Sequence, residues 1–131
     1  MTKETDFKAL IVDDDDGFRE VLTGYLESLE ISVHQASSGE QALVEIEKTI
    51  PDVMFLDVYM SGMSGLQLLK LTKTKYPQLK VIVMSGYATE EVAKEAIDLG
   101  AFDFMNKPIE LEQIIDILFL IIPQQLNEPS K

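Results

Sequence analysis

Residues 10–18 read LIVDDDDGF, an apolar run that ends in four consecutive aspartates and a glycine. A short β-branched run of this kind reads as a buried strand, and the aspartates begin where the strand must hand over to another element. Four adjacent carboxylates repel one another, and a fold keeps them only where solvent, a helix N-terminus or a cation compensates. Working outward, FKALIV (7–12), ISVHQA (31–36), VMFL (53–56), VIVM (81–84) and FDFM (102–105) are five segments of strand composition. Helical spacing fills 17–30, 38–49, 65–76, 89–99 and about 110–122. Ser38 with Gln41 and Ser64 with Gln67 read as capping boxes, Thr89 caps a turn carrying Glu90 and Glu91, and Gly100 stands where a helix stops. Strict alternation predicts an α/β domain of (βα)5 form, doubly wound, with a parallel sheet between two helical layers.

The chain has 131 residues, 46% of them hydrophobic, which fits one domain with a real core. A formal net charge of -12 argues against direct binding to nucleic acid or to an anionic membrane. No cysteine is present, so there is neither a disulfide framework nor a thiolate metal site. MTKETDFK at the N-terminus lacks an apolar signal region, and IIDILFLII (114–122) is too short to span a bilayer. The expected address is cytoplasmic. The domain is expected over residues 1–122, with 123–131 as a tail or the start of a linker.

In an open parallel sheet, ligands bind beyond the carboxyl ends of the strands where the strand order reverses; for order 2-1-3-4-5 that crevice lies between strands 1 and 3. Asp13 and Asp14 follow strand 1, Asp57 follows strand 3, Ser85 and Gly86 follow strand 4, and Lys107 and Pro108 follow strand 5. Three carboxylates, a hydroxyl and a lysine on one sheet edge suit a hard divalent cation together with a phosphoryl group.

Four blocks, LIVDDD, VMFLDVYMSGMSGLQLL, VIVMSGYA and GAFDFMNKP, carry a family resemblance. In order and spacing the chain resembles a response-regulator receiver domain of two-component signalling over about residues 6–122. The resemblance implies a flavodoxin-like three-layer sandwich with sheet order 2-1-3-4-5. It implies Asp57 as phospho-acceptor and Asp13, Asp14, the Asp57 carboxylate and the Tyr59 backbone carbonyl as ligands of Mg2+ or Mn2+. Ser85 would be the switch hydroxyl, Lys107 the phosphoryl-binding lysine and Phe104 the switch aromatic, with a cis Lys107–Pro108 bond. The partner implied is a sensor histidine kinase or a histidine phosphotransfer domain. Output would run through helix 4, strand 5 and helix 5; a homodimer, a following domain and the tail itself are the candidate covers for the extra apolar residues of that face. Such a protein is not an enzyme beyond its own phosphorylation and dephosphorylation. Two departures stand out: Met60 is followed by Ser61 where the family usually has proline, and Phe104 lacks the phenol oxygen of a tyrosine.

Plainer readings compete at several positions. Asp15 and Asp16 are expected to cap a helix and complement its dipole. An EF-hand fails, because Gly17 at loop position six puts Val12 at position one, where an oxygen ligand is needed. His34 is expected on a sheet face, Phe18 and Tyr25 in the core, and Met54, Met60 and Met63 in packing or loops. A hydrolase with an aspartyl nucleophile would need an acid two residues after Asp57, where Tyr59 stands. An interaction module working without phosphate is the other rival. On the last helix, Leu111, Ile114, Ile115, Leu118, Ile121 and Ile122 are expected to face the sheet, leaving Ile117, Phe119 and Leu120 over.

Overall fold

In a computed structural model describing residues 7–87 and 89–122, strand and helix alternate without a spare element. The order is β1 (Lys8–Val12), α1 (Asp16–Ser28), β2 (Ser32–Ala36), α2 (Gly39–Lys48), β3 (Val53–Asp57), α3 (Gly65–Lys75), β4 (Lys80–Ser85), α4 (Glu90–Asp98), β5 (Asp103–Asn106) and α5 (Leu111–Ile121). All pairings are parallel and the sheet order is β2-β1-β3-β4-β5. The expected tail at 123–131 lies outside the described residues. Among the described residues no helix is long and apolar enough to cross a membrane.

Alternation along each central strand divides the core. Ala9, Ile11, Val53, Phe55, Ile82 and Met84 share one cluster with residues of α1 and α5. Leu10, Val12, Met54, Leu56, Val81 and Val83 share the other with residues of α2, α3 and α4. Strands covered on both faces have to be apolar on both, and all five residues of β3 are buried. On the β2 edge, Ser32, His34 and Gln35 are exposed.

Caps set where the helices begin. The Asp15 carboxylate accepts the Phe18 N–H at 3.1 Å, so this aspartate caps α1. Ser64 and Gln67 form the full reciprocal box. Only half of the expected box forms at α2: Ser38 Oγ accepts from Gln41 N–H, but the Gln41 side-chain oxygen turns to Ser37, accepting its N–H at 2.6 Å and its hydroxyl at 3.0 Å.

Helix α1 stops at Ser28, two residues before the expected end. Glu30 takes a left-handed φ of 65°, its N–H donates to the Glu27 carbonyl, and the Ile31 N–H reaches back to Leu26. This is a Schellman closure with glutamate where glycine is usual, so composition gives no warning of it. Helix α5 is also turned from the expected face. Ile114, Ile117 and Leu118 are buried, whereas Ile115 is exposed. At 100° per residue, a stripe through 114, 117, 118 and 121 excludes 115. Phe119 and Leu120, 61% and 70% exposed, lie on different flanks of α5: Leu120 borders a cleft with Phe104 and Ile117, Phe119 a groove with Leu29 and Ile31.

Candidate functional site

The carboxyl ends of β1, β3, β4 and β5 meet at one edge of the sheet. Asp13 is the first residue after β1, and its N–H donates to the Ala36 carbonyl of β2. Asp57 ends β3, and the next N–H, of Val58, donates to Met84 on β4. Lys107 follows β5, and its N–H donates to the carbonyl of Ser85, the last residue of β4. Backbone hydrogen bonds thus tie the ends of β3, β4 and β5 to one another, while the end of β1 is bonded to β2 and is held beside β3 by the pairing of Val12 with Leu56.

Asp13, Asp14 and Asp57 each present a carboxylate oxygen within 4.8 Å of the others. Asp13 and Asp57 are buried, while Asp14 is exposed. The Lys107 ammonium donates to Asp13 Oδ2 at 2.7 Å and pairs with Asp57 Oδ1 at 3.1 Å. One ammonium against three carboxylates leaves the pocket with uncompensated negative charge. Burial, and then the charge of Asp13, push the Asp57 carboxyl up to about 6, although the hydrogen bond and charge of Lys107 act the other way. For Lys107, burial pulls the ammonium down, but its hydrogen bonds to Asp13 and Asp57 outweigh it and hold the group above the usual lysine value.

The other expected positions lie on β2, β4 and β5 and in the loops that follow the strands. Ser85 is fully buried and its Oγ accepts the Tyr87 N–H at 2.9 Å, which leaves the hydroxyl proton to donate elsewhere. Tyr59 and Tyr87 are exposed and meet edge to face with centroids 6.3 Å apart. Tyr59 lines an open cleft with Asp14, Met60 and Ser61. The Lys107–Pro108 bond is cis. Phe104 is half-buried, in register with Val83 and packed on the α2–α3–α4 side of the sheet. His34 is exposed on β2.

Four residues matter that spacing did not single out. A Cβ on Gly65 would lie 2.1 Å from the Asp57 carbonyl oxygen, so only glycine lets α3 start so close to the end of β3. The Ser61 N–H donates to Asp14 Oδ2 at 3.3 Å, a bond that a proline at this position would lack, so its loop is tethered in another way. Arg19 donates from Nη1 to the Asp13 carbonyl at 2.6 Å and from Nε to Gln35, while Nη2 pairs with Asp16. Phe18, expected as simple core, places its ring under the Lys107 ammonium. Among these, Ser61 was visible in the sequence, as the residue standing where the family usually has proline.

Comparison with known proteins agrees with this arrangement. Residues 9–119 match the family model of the response regulator receiver domain. Sporulation initiation phosphotransferase F of Bacillus subtilis is 33% identical over 120 residues, covering 92% of this chain and 97% of that protein. The DNA-binding transcriptional regulator NtrC of Klebsiella pneumoniae is 36% identical over 110 residues, covering 84% of this chain but 24% of NtrC. The chain spans about a quarter of the length of this and similar long relatives. The crystal structure of the receiver domain of NtrX from Brucella abortus aligns with a TM-score of 0.83 at 32% identity, over 87% of this chain and 97% of that one. With the fold, the strand-end carboxylates and a match over most of its length in agreement, the chain belongs to the response regulator receiver domain family.

Proposed function

We propose that the protein is a phosphorylation-dependent switch in which Asp57 accepts a phosphoryl group from a phosphohistidine of a sensor kinase or phosphotransfer domain. An Asp57 oxygen attacks phosphorus, the P–N bond breaks with its electron pair kept by the ring nitrogen, and a neutral imidazole leaves, the proton being already on its other nitrogen, while an acyl phosphate forms. The observation that carries this reading is the convergence of Asp13, Asp14, Asp57 and Lys107 within one pocket. Three hard oxygen donors suit Mg2+ or Mn2+, and Asp13, Asp14, Asp57 and the Tyr59 carbonyl are the proposed ligands. When bound, such a cation neutralises charge between the carboxylates and the incoming phosphoryl group. Lys107 adds a point charge at an equatorial oxygen, and the Ser85 hydroxyl has a proton to donate to another.

Signal output is assigned to the face of α4, β5 and α5. Ser85 moving toward the phosphoryl group would let the Phe104 side chain rotate inward beside it, as a packing change alone. The occupant proposed for this face is a second copy, covering Leu120 and the cleft it shares with Phe104 and Ile117. Asp103 and Asp116 line the same cleft, so association should strengthen with salt. Sedimentation with and without beryllofluoride tests the dimer: monomers in both states rule it out. A cytoplasmic location and a receiver unit over residues 1–122 complete the reading.

The test of the acceptor is incubation with acetyl phosphate and Mg2+. A stoichiometric mass increment without turnover of a generic phosphoester is expected. Turnover would indicate a hydrolase, and the absence of any increment would leave an interaction module.

A further inference from the structure

Lys107 has three N–H donors, and its two carboxylate partners, Asp13 and Asp57, both belong to the set proposed to hold the metal. A divalent cation entering the pocket would therefore compete for both of the lysine's anionic partners. A third contact is not exposed to that competition: the ammonium nitrogen lies over the face of the Phe18 ring, 4.2 Å from its centroid. The ring is itself well placed to stay there. Phe18 is the third residue of α1, and the Asp15 cap accepts its N–H. Side chains in a first turn lean back toward the helix N-terminus, here toward the strand ends. The ring is half-buried and packs on the core cluster shared by α1 and α5.

We propose that Phe18 is a positioning residue, whose ring face holds the Lys107 ammonium over the Asp57 oxygens while metal and phosphoryl group enter beside it. The inference rests on the assignment of Lys107 as the phosphoryl-binding cation. A π face attracts a cation without fixing its hydrogen-bond direction, so the ammonium can pivot from carboxylate to phosphoryl oxygen without leaving the ring. Leucine at this position would fill the space and keep the core contact, but offers no such face.

The test uses the full chain and two titrations, with Mg2+ alone and with beryllofluoride at saturating Mg2+, on wild type, Phe18→Leu and Phe18→Tyr. Phe18→Leu should bind Mg2+ as the wild type does and lose about two- to thirtyfold in beryllofluoride affinity, the factor a cation over an aromatic face is worth from exposed to desolvated settings. Phe18→Tyr should restore wild-type affinity. In the metal-free protein, the Lys107 methylene protons should carry a ring-current shift that Phe18→Leu removes. Equal beryllofluoride affinity in wild type and Phe18→Leu overturns the inference, as does a parallel loss of both affinities, which marks a structural role only. Should Phe18→Leu fail to fold, Phe18→Met carries the same comparison. A wild type that does not bind beryllofluoride overturns the reading of the site instead.

Discussion

Replacing Asp57 with asparagine should stabilise the metal-free protein at neutral pH and leave it almost unchanged near pH 4. The Asp57 carboxyl sits at about 6 in the folded chain against 3.8 for the free group, because burial and the charge of Asp13 both oppose its ionisation. Well below pH 3.8 it is protonated in both folded and unfolded chains and contributes nothing to the difference, and at pH 4 the difference is still small. Between about pH 4 and 6 the unfolded chain loses this proton first, so it binds fewer protons than the folded chain and stability falls as pH rises. Above pH 6 the full difference applies, about two pKa units or roughly 3 kcal/mol as an upper limit. Asparagine keeps the volume and removes the titration. Urea denaturation of both proteins in chelator, from pH 4 to 7.5, should show a stability gap that opens across this window and then levels. Saturating Mg2+ should narrow it, because a cation that binds only the folded wild type stabilises it by mass action. A gap that is the same at pH 4 and pH 7, or one of opposite sign, would refute the electrostatic reasoning.

Gly65→Ala should destabilise by about 3 kcal/mol or more, since its Cβ would fall 2.1 Å from the Asp57 carbonyl oxygen and backbone has to move; an unchanged urea midpoint contradicts this. Asp14→Asn should weaken Mg2+ affinity by at least about tenfold, the scale on which even outer partners of a metal ligand act, and unaltered affinity by calorimetry removes Asp14 from the ligand set. Replacing both Tyr59 and Tyr87, whose rings meet at 6.3 Å, by alanine should shorten the lifetime of the aspartyl phosphate by admitting water. An unchanged decay rate of trapped phosphoprotein counts against that role.

The fold was legible because the central strands β1, β3 and β4 are apolar enough to be covered on both faces and helices α1 to α4 carry polar contrast. Where contrast is missing the reading slipped: α5 is apolar nearly all round, so Ile115 and Ile117 could not be told apart until the helix docked. The strand-end residues Asp13, Asp14, Asp57, Ser85 and Lys107 were visible because a parallel sheet gathers whatever follows its strands. Contacts across long sequence distance were not. Phe18 meets Lys107 only when α1 and β5 are in place, and Arg19 reaches Gln35 only beside β2. Gly65 looked like an ordinary helix start because its reason lies in the Asp57 backbone against it. The left-handed Glu30 has no signature in composition at all.

In the proposed switch the Asp57 carboxylate itself takes the phosphoryl group. Borohydride reduces an acyl phosphate at aspartate to homoserine, so the site of modification can be read as a residue change. Treatment of the protein with a phosphohistidine donor and Mg2+, followed by borohydride, digestion and peptide mass mapping, should place homoserine at position 57 and leave Asp13 and Asp14 intact. Homoserine at another aspartate, or phosphate retained on His34 with position 57 unmodified, would contradict the account.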